Sequence, residues 1–259
     1  MTLSSLSLEG HAAIITGAGK GLGKGFAHAL AESGANLLLV GRSENNIAAT
    51  AKEIREKYGV QCSHFKADIN DEEQEKAAAK ACFDLYGKID ILVNNAAAMR
   101  NNIPPQETTT EAFEAVMHPN VTGTLNFCKA VYPYMSQRKY GRIVNIASMS
   151  ALIVNKGVHG GSYEISKAAV VMLTKTLATE WGKEGINVNS ICPGYYLTDP
   201  NKEFFAKDPV FYDVVLDMIP MGRLGELEEL WGPLVLLCSP AASYLQGVAI
   251  PVDGGYTLW

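Results

Sequence analysis

The chain has 259 residues, of which 47% are hydrophobic and 19% are charged. This length is enough to bury one substantial core, and α/β chains of this size often form a single domain. The formal net charge of −5 excludes a strongly basic protein, so no surface for nucleic acid is predicted. No apolar stretch approaches the roughly 20 residues that a membrane-spanning helix needs, so no membrane association is predicted.

The five cysteines are scattered along the chain, and no two have C-x-x-C spacing. This pattern predicts buried thiols in a reducing compartment rather than a disulfide framework or a zinc site. No cluster of His, Asp and Glu indicates another metal site. The first ten residues are polar and lack a basic segment followed by an apolar run, so no signal peptide is expected. A cytoplasmic location is therefore predicted.

Seven short apolar runs are predicted to be strands, and several of them are apolar throughout. Continuous apolar character is typical of parallel strands that are covered on both faces. The runs lie at residues 12–16, 36–40, 61–67, 89–94, 142–147, 187–192 and 247–252.

Amphipathic stretches separate these strands and are predicted to be helices. In the first, Leu22, Phe26 and Leu30 recur at four-residue spacing, which gives one buried stripe. The other stretches lie at residues 45–58, 72–86, 110–138, 162–182 and 226–238. The regular alternation of strand and helix predicts an α/β fold with a doubly wound, seven-stranded parallel sheet and helices on both faces.

One segment, residues 195–223, interrupts the alternation between the last two strands. It is rich in aromatic residues and contains Pro200 and Pro209. Such an insertion is predicted to be a substrate lid, with a small surface helix pair as the alternative. Because the chain has no Pro/Gly/Ser-rich linker and no internal repeat, residues 1–259 are expected to form one domain.

A glycine-rich turn, residues 16–23 with the sequence T-G-A-G-K-G-L-G, joins the first strand to the first helix. A diphosphate binds to backbone N–H groups at a helix N-terminus, and side chains would block its approach. The pattern differs from the G-x-x-x-x-G-K-[ST] loop of nucleotide hydrolases, so it predicts a dinucleotide-binding Rossmann fold. The predicted phosphate-binding residues are Gly17, Gly19, Lys20, Gly21, Leu22 and Gly23.

The second strand ends in Val40-Gly41-Arg42-Ser43 and carries no carboxylate there. An NAD site usually has an acid at this position for the ribose 2′-hydroxyl, whereas a 2′-phosphate needs a cation. Arg42 can grip phosphate with two N–H groups, and Lys20 can add a second charge. A solvated Arg42 on the loop is the alternative. The sequence favours NADP(H), and NAD(H) stays possible.

Tyr163 and Lys167 are spaced to share one helix face, one turn apart, in the segment Y-E-I-S-K. A free phenol has a pKa near 10, and a neighbouring ammonium favours its ionised form. The pair therefore predicts a tyrosine that exchanges a proton with substrate. Many helices carry this spacing by chance, so a surface Tyr–Lys pair is the alternative.

From end to end the chain resembles the short-chain dehydrogenase/reductase family. Residues 16–23 resemble its T-G-x-x-x-G-x-G turn, and Tyr163 with Lys167 resemble its Y-x-x-x-K pair. The other matching segments, in chain order, are Asp68-Ile69, Asn94-Asn95-Ala96-Ala97, Asn120 with Val121-Thr122-Gly123, Ser148, Pro193-Gly194 with Thr198, and Val252-Asp253-Gly254-Gly255.

The resemblance implies an NAD(P)-dependent oxidoreductase that acts on CH–OH groups of a small alcohol or carbonyl substrate. Tyr163 is then the general acid or base, and Ser148 stabilises the substrate oxygen. Lys167 lowers the tyrosine pKa and holds the nicotinamide ribose, while Asn120 holds a water of a proton relay. The implied cofactor contacts are Asp68, Ile69, Asn95, Ala96, Ala97, Tyr163, Lys167, Pro193, Gly194, Tyr196 and Thr198.

Two departures from the family pattern are visible. Ala97 stands where glycine is usual, and the stretch from Ser148 to Tyr163 is slightly longer than usual. The longer stretch is expected to remodel one wall of the substrate pocket. The resemblance also implies a homotetramer, in which the helices at 110–138 and 162–182 pair across subunits.

Within the family, the chain is most similar to sugar-acid and polyol dehydrogenases of the gluconate 5-dehydrogenase type. Four residues on loops expected to line the pocket suit a hydroxylated carboxylate: Arg100, Asn101, Lys156 and His159. Six aromatic residues of the 195–223 segment favour instead a 3-oxoacyl or hydroxysteroid reductase: Tyr195, Tyr196, Phe204, Phe205, Phe211 and Tyr212. A non-catalytic NADP-binding sensor on the same scaffold is a third hypothesis.

Overall fold

Seven parallel strands form one sheet in the order β3-β2-β1-β4-β5-β6-β7. The computed structural model describes residues 3–155 and 161–259. The strands are β1 Ala12–Thr16, β2 Asn36–Gly41, β3 Cys62–Lys66, β4 Ile91–Asn94, β5 Gly141–Ile146, β6 Ile186–Pro193 and β7 Ala249–Val252. The predicted doubly wound α/β fold is confirmed.

Helices cover both faces of the sheet because successive residues of a strand point to opposite faces. Ile15 and Leu39 pack in a core with Phe26, whereas Ile14 and Leu38 pack in a second core on the other face. The helices are α1 Gly21–Glu32, α2 Glu44–Tyr58, α3 Glu72–Tyr86, α4 Thr110–Met117, α5 Thr124–Arg138, α6 Gly161–Trp181, α7 Asp199–Lys207, α8 Pro209–Met218 and α9 Trp231–Cys238.

The helix predicted over residues 110–138 is continuous, but it is not α-helical throughout. A π-helical turn, His118–Gly123, separates α4 from α5. Pro119 lies at the start of this turn and has no N–H to donate to a regular helical hydrogen bond. The side-chain register therefore differs between α4 and α5. The π turn also contains Asn120. Single π turns of this kind are often found at functional sites.

The segment that interrupts the alternation forms the helix pair α7 and α8 with a small core of its own. Phe205 packs against Tyr195 at 5.7 Å and Tyr212 at 5.1 Å between ring centroids. Tyr195 in turn packs against Tyr256, 5.6 Å away, near the end of the chain. The Phe204 side chain lies outside the described residues. The rings of Tyr195, Phe205, Tyr212 and Tyr256 therefore pack together in this small core.

All five cysteines are buried, and none forms a disulfide. They are divided between the cores: Cys62 and Cys238 lie on the α1 face, and Cys82 and Cys128 lie on the opposite face. Cys192 lies in a smaller cluster beside α6. Among the described residues, no helix is both long and apolar enough to cross a membrane.

Candidate active site

The predicted functional residues meet at one edge of the sheet. The glycine turn follows β1, Asn95 follows β4, Ser148 follows β5, and Gly194 follows β6. In a parallel sheet the carboxyl ends of the strands share an edge, and ligands bind where the strand order reverses. Here that reversal lies between β1 and β4. The sequence motifs therefore converge on the crevice that this fold uses for binding.

The glycine turn has a backbone that other residues would not accept. Gly17 and Gly21 have positive φ angles of 66° and 54°. A Cβ on Gly23 would lie 2.2 Å from the Gly17 carbonyl oxygen. The N-terminus of α1 has no side-chain cap, and a Cβ on Gly21 would meet open space. Uncapped N–H groups beside open space fit a diphosphate, as predicted for a dinucleotide.

Asn95 fixes the glycine turn to the end of β4. Its side-chain Nδ2 donates to the Thr16 carbonyl oxygen at 3.0 Å. The backbone N–H groups of Asn95 and Ala96 donate to the Thr16 hydroxyl at 3.0 and 2.9 Å. Ala97, the departure from the family pattern, is half-buried beside them. The segment 94–97 thus positions the turn as well as lining the crevice.

Two exposed cations are available for the predicted 2′-phosphate site, and β2 ends in Gly41-Arg42 without a carboxylate at the strand end. Arg42 and Lys20 are both exposed, and neither has an ion-pair partner in the described part of the chain. Gly19 packs tightly against α2, because a Cβ there would lie 2.9 Å from the Asn46 Cβ. Both cations are thus available to bind a 2′-phosphate.

Asp68 and Ile69 lie after β3, next to the π turn. The Asp68 carboxylate accepts hydrogen bonds from the Asn70 backbone and side chain at 3.0 and 2.9 Å. The Ile69 carbonyl oxygen approaches the backbone of Gly123 so closely that a Cβ there would lie 2.4 Å from it. Both residues therefore hold this loop in place, and the Asp68 carboxylate keeps acceptor capacity for a ligand.

The segment after β6 closes the other side of the crevice. Gly194 lies against Asp253, so that a Cβ on Gly194 would be 2.7 Å from the Asp253 Cα. Thr198 caps α7 by accepting a hydrogen bond from the Asn201 N–H at 3.4 Å. The Tyr196 side chain is buried in the core, and its hydroxyl donates to the Val252 carbonyl oxygen at 2.8 Å. Of Tyr196, therefore, only the backbone remains for the predicted cofactor contact.

Tyr163 lies on the first turn of α6 and interacts with the Ser148 hydroxyl. Ser148 also accepts a hydrogen bond from the Ser150 N–H at 3.1 Å, which fixes its orientation. Burial raises the pKa of Tyr163, while the Ser148 hydrogen bond and the Arg100 guanidinium lower it. The balance leaves its pKa above the ordinary value. The two residues predicted to act on the substrate oxygen thus lie together, and the phenol is in its protonated form at neutral pH.

Lys167 is buried one turn after Tyr163, and its Nζ lies 5.7 Å from the tyrosine ring centroid. Its ammonium donates a hydrogen bond to the Ile146 carbonyl oxygen at 2.8 Å. Burial lowers the pKa of Lys167 to about 8. The cation that lowers the pKa of Tyr163 in this structure is Arg100 rather than the expected Lys167. Lys167 is held by its backbone partner and is itself desolvated.

Asn120 is buried in the π turn and uses its amide to join two elements. Its Oδ1 accepts from the Ala98 N–H at 2.6 Å, and its Nδ2 donates to the Ser166 hydroxyl at 2.9 Å. The Nδ2 also donates to the Ala98 carbonyl oxygen at 3.2 Å. The side chain expected to hold a water therefore holds the loop after β4 against α6. This is a positioning arrangement, since every amide group already has a protein partner.

A buried polar group that sequence reasoning missed lies beside Tyr163. Glu164 accepts from Arg100 at 2.7 Å and from the Asn155 Nδ2 at 3.2 Å. Ser150 joins both donors, since its hydroxyl accepts from Arg100 at 3.2 Å and from Asn155 at 2.7 Å. The Arg100 guanidinium lies 5.3 Å from the Tyr163 ring centroid. We name these four residues, Arg100, Ser150, Asn155 and Glu164, the polar wall.

The other residues predicted to line the pocket differ in outcome. Asn101 turns toward α4, where its side chain donates to the Ala112 carbonyl oxygen at 3.3 Å. Lys156 and His159 lie outside the described residues. Arg100 is thus the predicted pocket cation that the structure places next to Tyr163. A glutamate directly after the tyrosine was the signal available in the sequence, but neighbouring helix residues point in different directions.

A family model described as enoyl-(acyl carrier protein) reductase matches residues 17–257. Galactitol 2-dehydrogenase (L-tagatose-forming) from Cereibacter sphaeroides is 39% identical over 252 residues, which are 97% of this chain and 97% of the relative. Gluconate 5-dehydrogenase from Gluconobacter oxydans is 35% identical, over 97% of this chain and 96% of the relative. The similarity therefore spans both the glycine turn and the Tyr163 site.

Solved structures give the same result. A gluconate 5-dehydrogenase from Burkholderia cenocepacia, in complex with NADP and tartrate, is 34% identical to this chain. It matches with a TM-score of 0.93 over 99% of this chain and 99% of that chain. At this identity and coverage, the shared features include the whole sheet and the segments at its carboxyl edge.

Proposed function

The chain belongs to the short-chain dehydrogenase/reductase family, and we propose that it interconverts a secondary alcohol and a ketone of a sugar acid or polyol with NADP(H). The observation that carries the proposal is the pairing of the Tyr163 phenol with the Ser148 hydroxyl, next to buried Lys167. This group lies at the sheet edge that also carries the glycine turn.

NADP(H) would be held along the carboxyl edge of β1, β2 and β4. The backbone of residues 17–23 would bind the diphosphate, while Arg42 and Lys20 would bind the 2′-phosphate. The cofactor supplies or accepts the hydride, and the protein positions it. NADP in the related Burkholderia structure supports this assignment, and a cation instead of a carboxylate directly after β2, at Arg42, favours NADP over NAD.

Proton transfer is assigned to Tyr163. In carbonyl reduction its hydroxyl donates a proton to the substrate oxygen, and in alcohol oxidation the same group accepts one. Ser148 donates a hydrogen bond to that oxygen and stabilises the charge that develops on it. Lys167 is assigned to the ribose hydroxyls, while the positive charge that acts on the phenol is that of Arg100. The amide of Asn120 keeps the loop after β4 and α6 in register, so that Tyr163 faces the crevice.

A hydroxylated substrate is supported by the polar wall. The wall lies beside Tyr163, and it combines the buried polar side chains of Asn155 and Glu164 with the half-buried guanidinium of Arg100. The relatives named galactitol and gluconate dehydrogenases act on such compounds. Residues 195–223 are assigned as the lid over this substrate, since α7 and α8 follow directly from the segment that closes the crevice.

The alternative of a 3-oxoacyl or hydroxysteroid reductase is not favoured. It relied on aromatic residues of the lid, and Tyr195, Phe205 and Tyr212 pack against each other. An apolar substrate would also gain nothing from the polar wall, whose groups bind one another and offer polar surface next to Tyr163. The sensor alternative has no supporting observation, because Tyr163 and Lys167 are both present and adjacent.

The experiment that tests the proposal measures NADPH and NADH oxidation with a panel of carbonyl compounds. The panel contains 5-ketogluconate, a neutral ketohexose, a 3-ketoacyl thioester and a ketosteroid. We expect turnover with at least one hydroxylated ketone and none with the steroid. Tight NADPH binding without turnover of any compound would instead support the sensor hypothesis.

We also propose that the protein is a cytoplasmic homotetramer. Ile165 and Met172 project from α6 with 51% and 60% of their surfaces exposed, which suits a helix that pairs with a partner subunit. Buried thiols without disulfides fit a reducing compartment. Light scattering during size-exclusion chromatography would test the assembly, and a monomeric mass would exclude it.

A further inference from the structure

The polar wall contains a charge pair that is almost completely removed from solvent. The Arg100 and Glu164 side chains are 20% and 10% exposed, and their charged groups are 2.7 Å apart. At this distance and burial the two charges largely cancel for a ligand in the crevice. Arg100, which sequence reasoning treated as a free cation for a substrate carboxylate, is therefore already neutralised by this chain.

Three polar atoms of the wall have no hydrogen-bond partner among the residues that the structure describes. They are Arg100 Nε, Asn155 Oδ1 and Glu164 Oε2. Each of them has almost no accessible surface, so a ligand does not reach them directly. The part of the wall that a ligand can meet is the remaining exposed surface of the Arg100–Glu164 pair, which carries no net charge.

We propose that Glu164 is a specificity-determining residue, which neutralises Arg100 so that the site selects an uncharged polyol or ketose over a sugar acid. The inference rests on the proposed function and narrows its substrate class. A hydroxyl group both donates and accepts, so it needs no opposite charge to bind beside this neutral pair. A carboxylate only accepts, and it would meet the carboxylate of Glu164 with like charge.

The wall also acts on Tyr163 in a balanced way. Arg100 lowers the pKa of the phenol, and Glu164 raises it. With Glu164 present, the Tyr163 phenol therefore stays protonated. An unpaired Arg100 would favour the ionised form of the phenol. The same neutral pair thus serves both recognition of hydroxyls and donation of a proton to a ketone.

The test measures ligand binding separately from turnover. Isothermal titration calorimetry of the NADPH complex with galactitol and with gluconate gives two dissociation constants, because an alcohol does not react with the reduced cofactor. In the unaltered protein we expect galactitol to bind at least about tenfold more tightly than gluconate. In Glu164→Gln we expect the gluconate affinity to rise relative to galactitol by about tenfold, since Arg100 is then unpaired.

Two further variants keep the result interpretable. Glu180→Gln changes an exposed glutamate of the same helix and is expected to leave both affinities within twofold. If Glu164→Gln fails to fold, as judged by thermal unfolding, the double variant Arg100→Met/Glu164→Gln removes both charges. It is expected to keep the preference for galactitol, because no free cation is created.

An unchanged ratio of affinities in Glu164→Gln, or a preference for gluconate in the unaltered protein, would overturn the inference. Turnover is scored independently with the carbonyl panel. A selective galactitol site without any ketone reduction would refute the proposed function and leave this inference standing. Ketone reduction together with an unchanged ratio of affinities in Glu164→Gln would support the proposed function and refute this inference.

Discussion

The two sides of the crevice are built in different ways. On the cofactor side, the glycine turn, Asn95 and Thr16 satisfy one another's hydrogen-bonding groups at about 3 Å. On the substrate side, the polar wall beside Tyr163 leaves three buried polar atoms without partners among the described residues. The cofactor side therefore holds its turn in place before a ligand binds and leaves the uncapped N–H groups of α1 for the diphosphate, whereas the substrate side presents a charge pair that is already neutralised. This difference separates general cofactor binding from selection of a particular substrate.

Replacing Tyr163 by Phe gives the largest expected effect and tests whether the two sides are independent. We expect turnover to fall by about 10³-fold, because the proton donor is removed. NADPH affinity is expected to stay within twofold, because the cofactor side is unchanged. Steady-state rates and a fluorescence titration of NADPH measure the two quantities. Tyr244→Phe, at a fully exposed tyrosine, is the control; near-normal turnover in Tyr163→Phe would remove the assigned mechanism.

Gly23→Ala is expected to weaken NADPH binding, which Tyr163→Phe leaves unchanged. The new methyl group would collide with the Gly17 carbonyl oxygen 2.2 Å away, so the glycine turn must shift. We expect a stability loss of about 2 kcal/mol, typical of overpacking, together with weaker NADPH binding. Thermal unfolding and NADPH titration are the measurements. Gly232→Ala, where a Cβ meets no atom within 4 Å, is the matched control. Unaltered NADPH affinity in Gly23→Ala would contradict the role of the turn.

Glu75 on α3 is a buried carboxyl that lies away from the substrate side. It is therefore an exception to the division between the two sides of the crevice. Neither of its oxygens has a partner, and burial raises its pKa to about 8 from the ordinary 4.5. The unfolded chain loses this proton above pH 4.5 while the folded chain retains it to about pH 8. The free energy of unfolding should therefore fall as pH rises between these values.

Glu75→Met is expected to remove this pH dependence and to stabilise the protein by about 2 kcal/mol at pH 8. Urea denaturation between pH 5 and about pH 8 measures the slope. Glu73→Met changes a neighbouring exposed carboxylate and should alter stability by less than about 0.5 kcal/mol. If Glu75→Met retained the pH slope of the unaltered protein, the titration would belong to another group.

The smallest expected effect concerns the choice between the two nicotinamide cofactors. Arg42→Ala should raise the KM for NADPH about tenfold and leave the KM for NADH within twofold, because only NADPH carries the 2′-phosphate. Lys52→Ala on α2, an exposed cation farther along the chain, is the control. Equal effects on both cofactors would refute the assignment of Arg42 to the phosphate.

The fold could be predicted closely because continuous apolar runs are a local signal. Each of the seven strands was placed within two residues, and the helices around 45–58 and 72–86 were placed within one. The bounds of the helix at 110–138 were also predicted, but its π turn was not, since the sequence pattern continues across Pro119 although the backbone changes its hydrogen bonding there. A π turn keeps the helix direction, so its side-chain periodicity gives little warning.

The candidate site could be predicted on the cofactor side and only partly on the substrate side. The glycine turn and the Tyr163–Lys167 spacing are local in sequence, so their geometry follows from the turn and the helix. Arg100 and Glu164 are 64 residues apart, and their contact depends on how the loop after β4 meets α6. Neither residue has a sequence pattern that identifies its partner. The pairing that neutralises the pocket cation was therefore visible only in three dimensions.

The distribution of the thiols provides a built-in set of reporters. Because burial raises the pKa of all five cysteines, a thiol-specific reagent should react only when the surrounding packing opens. Cys62 and Cys238 report on one face of the sheet, and Cys82 and Cys128 report on the other. Cys192 reports on the strand that ends at the active site. Mass spectrometry of timed alkylation would then give the order in which the layers of this fold come apart.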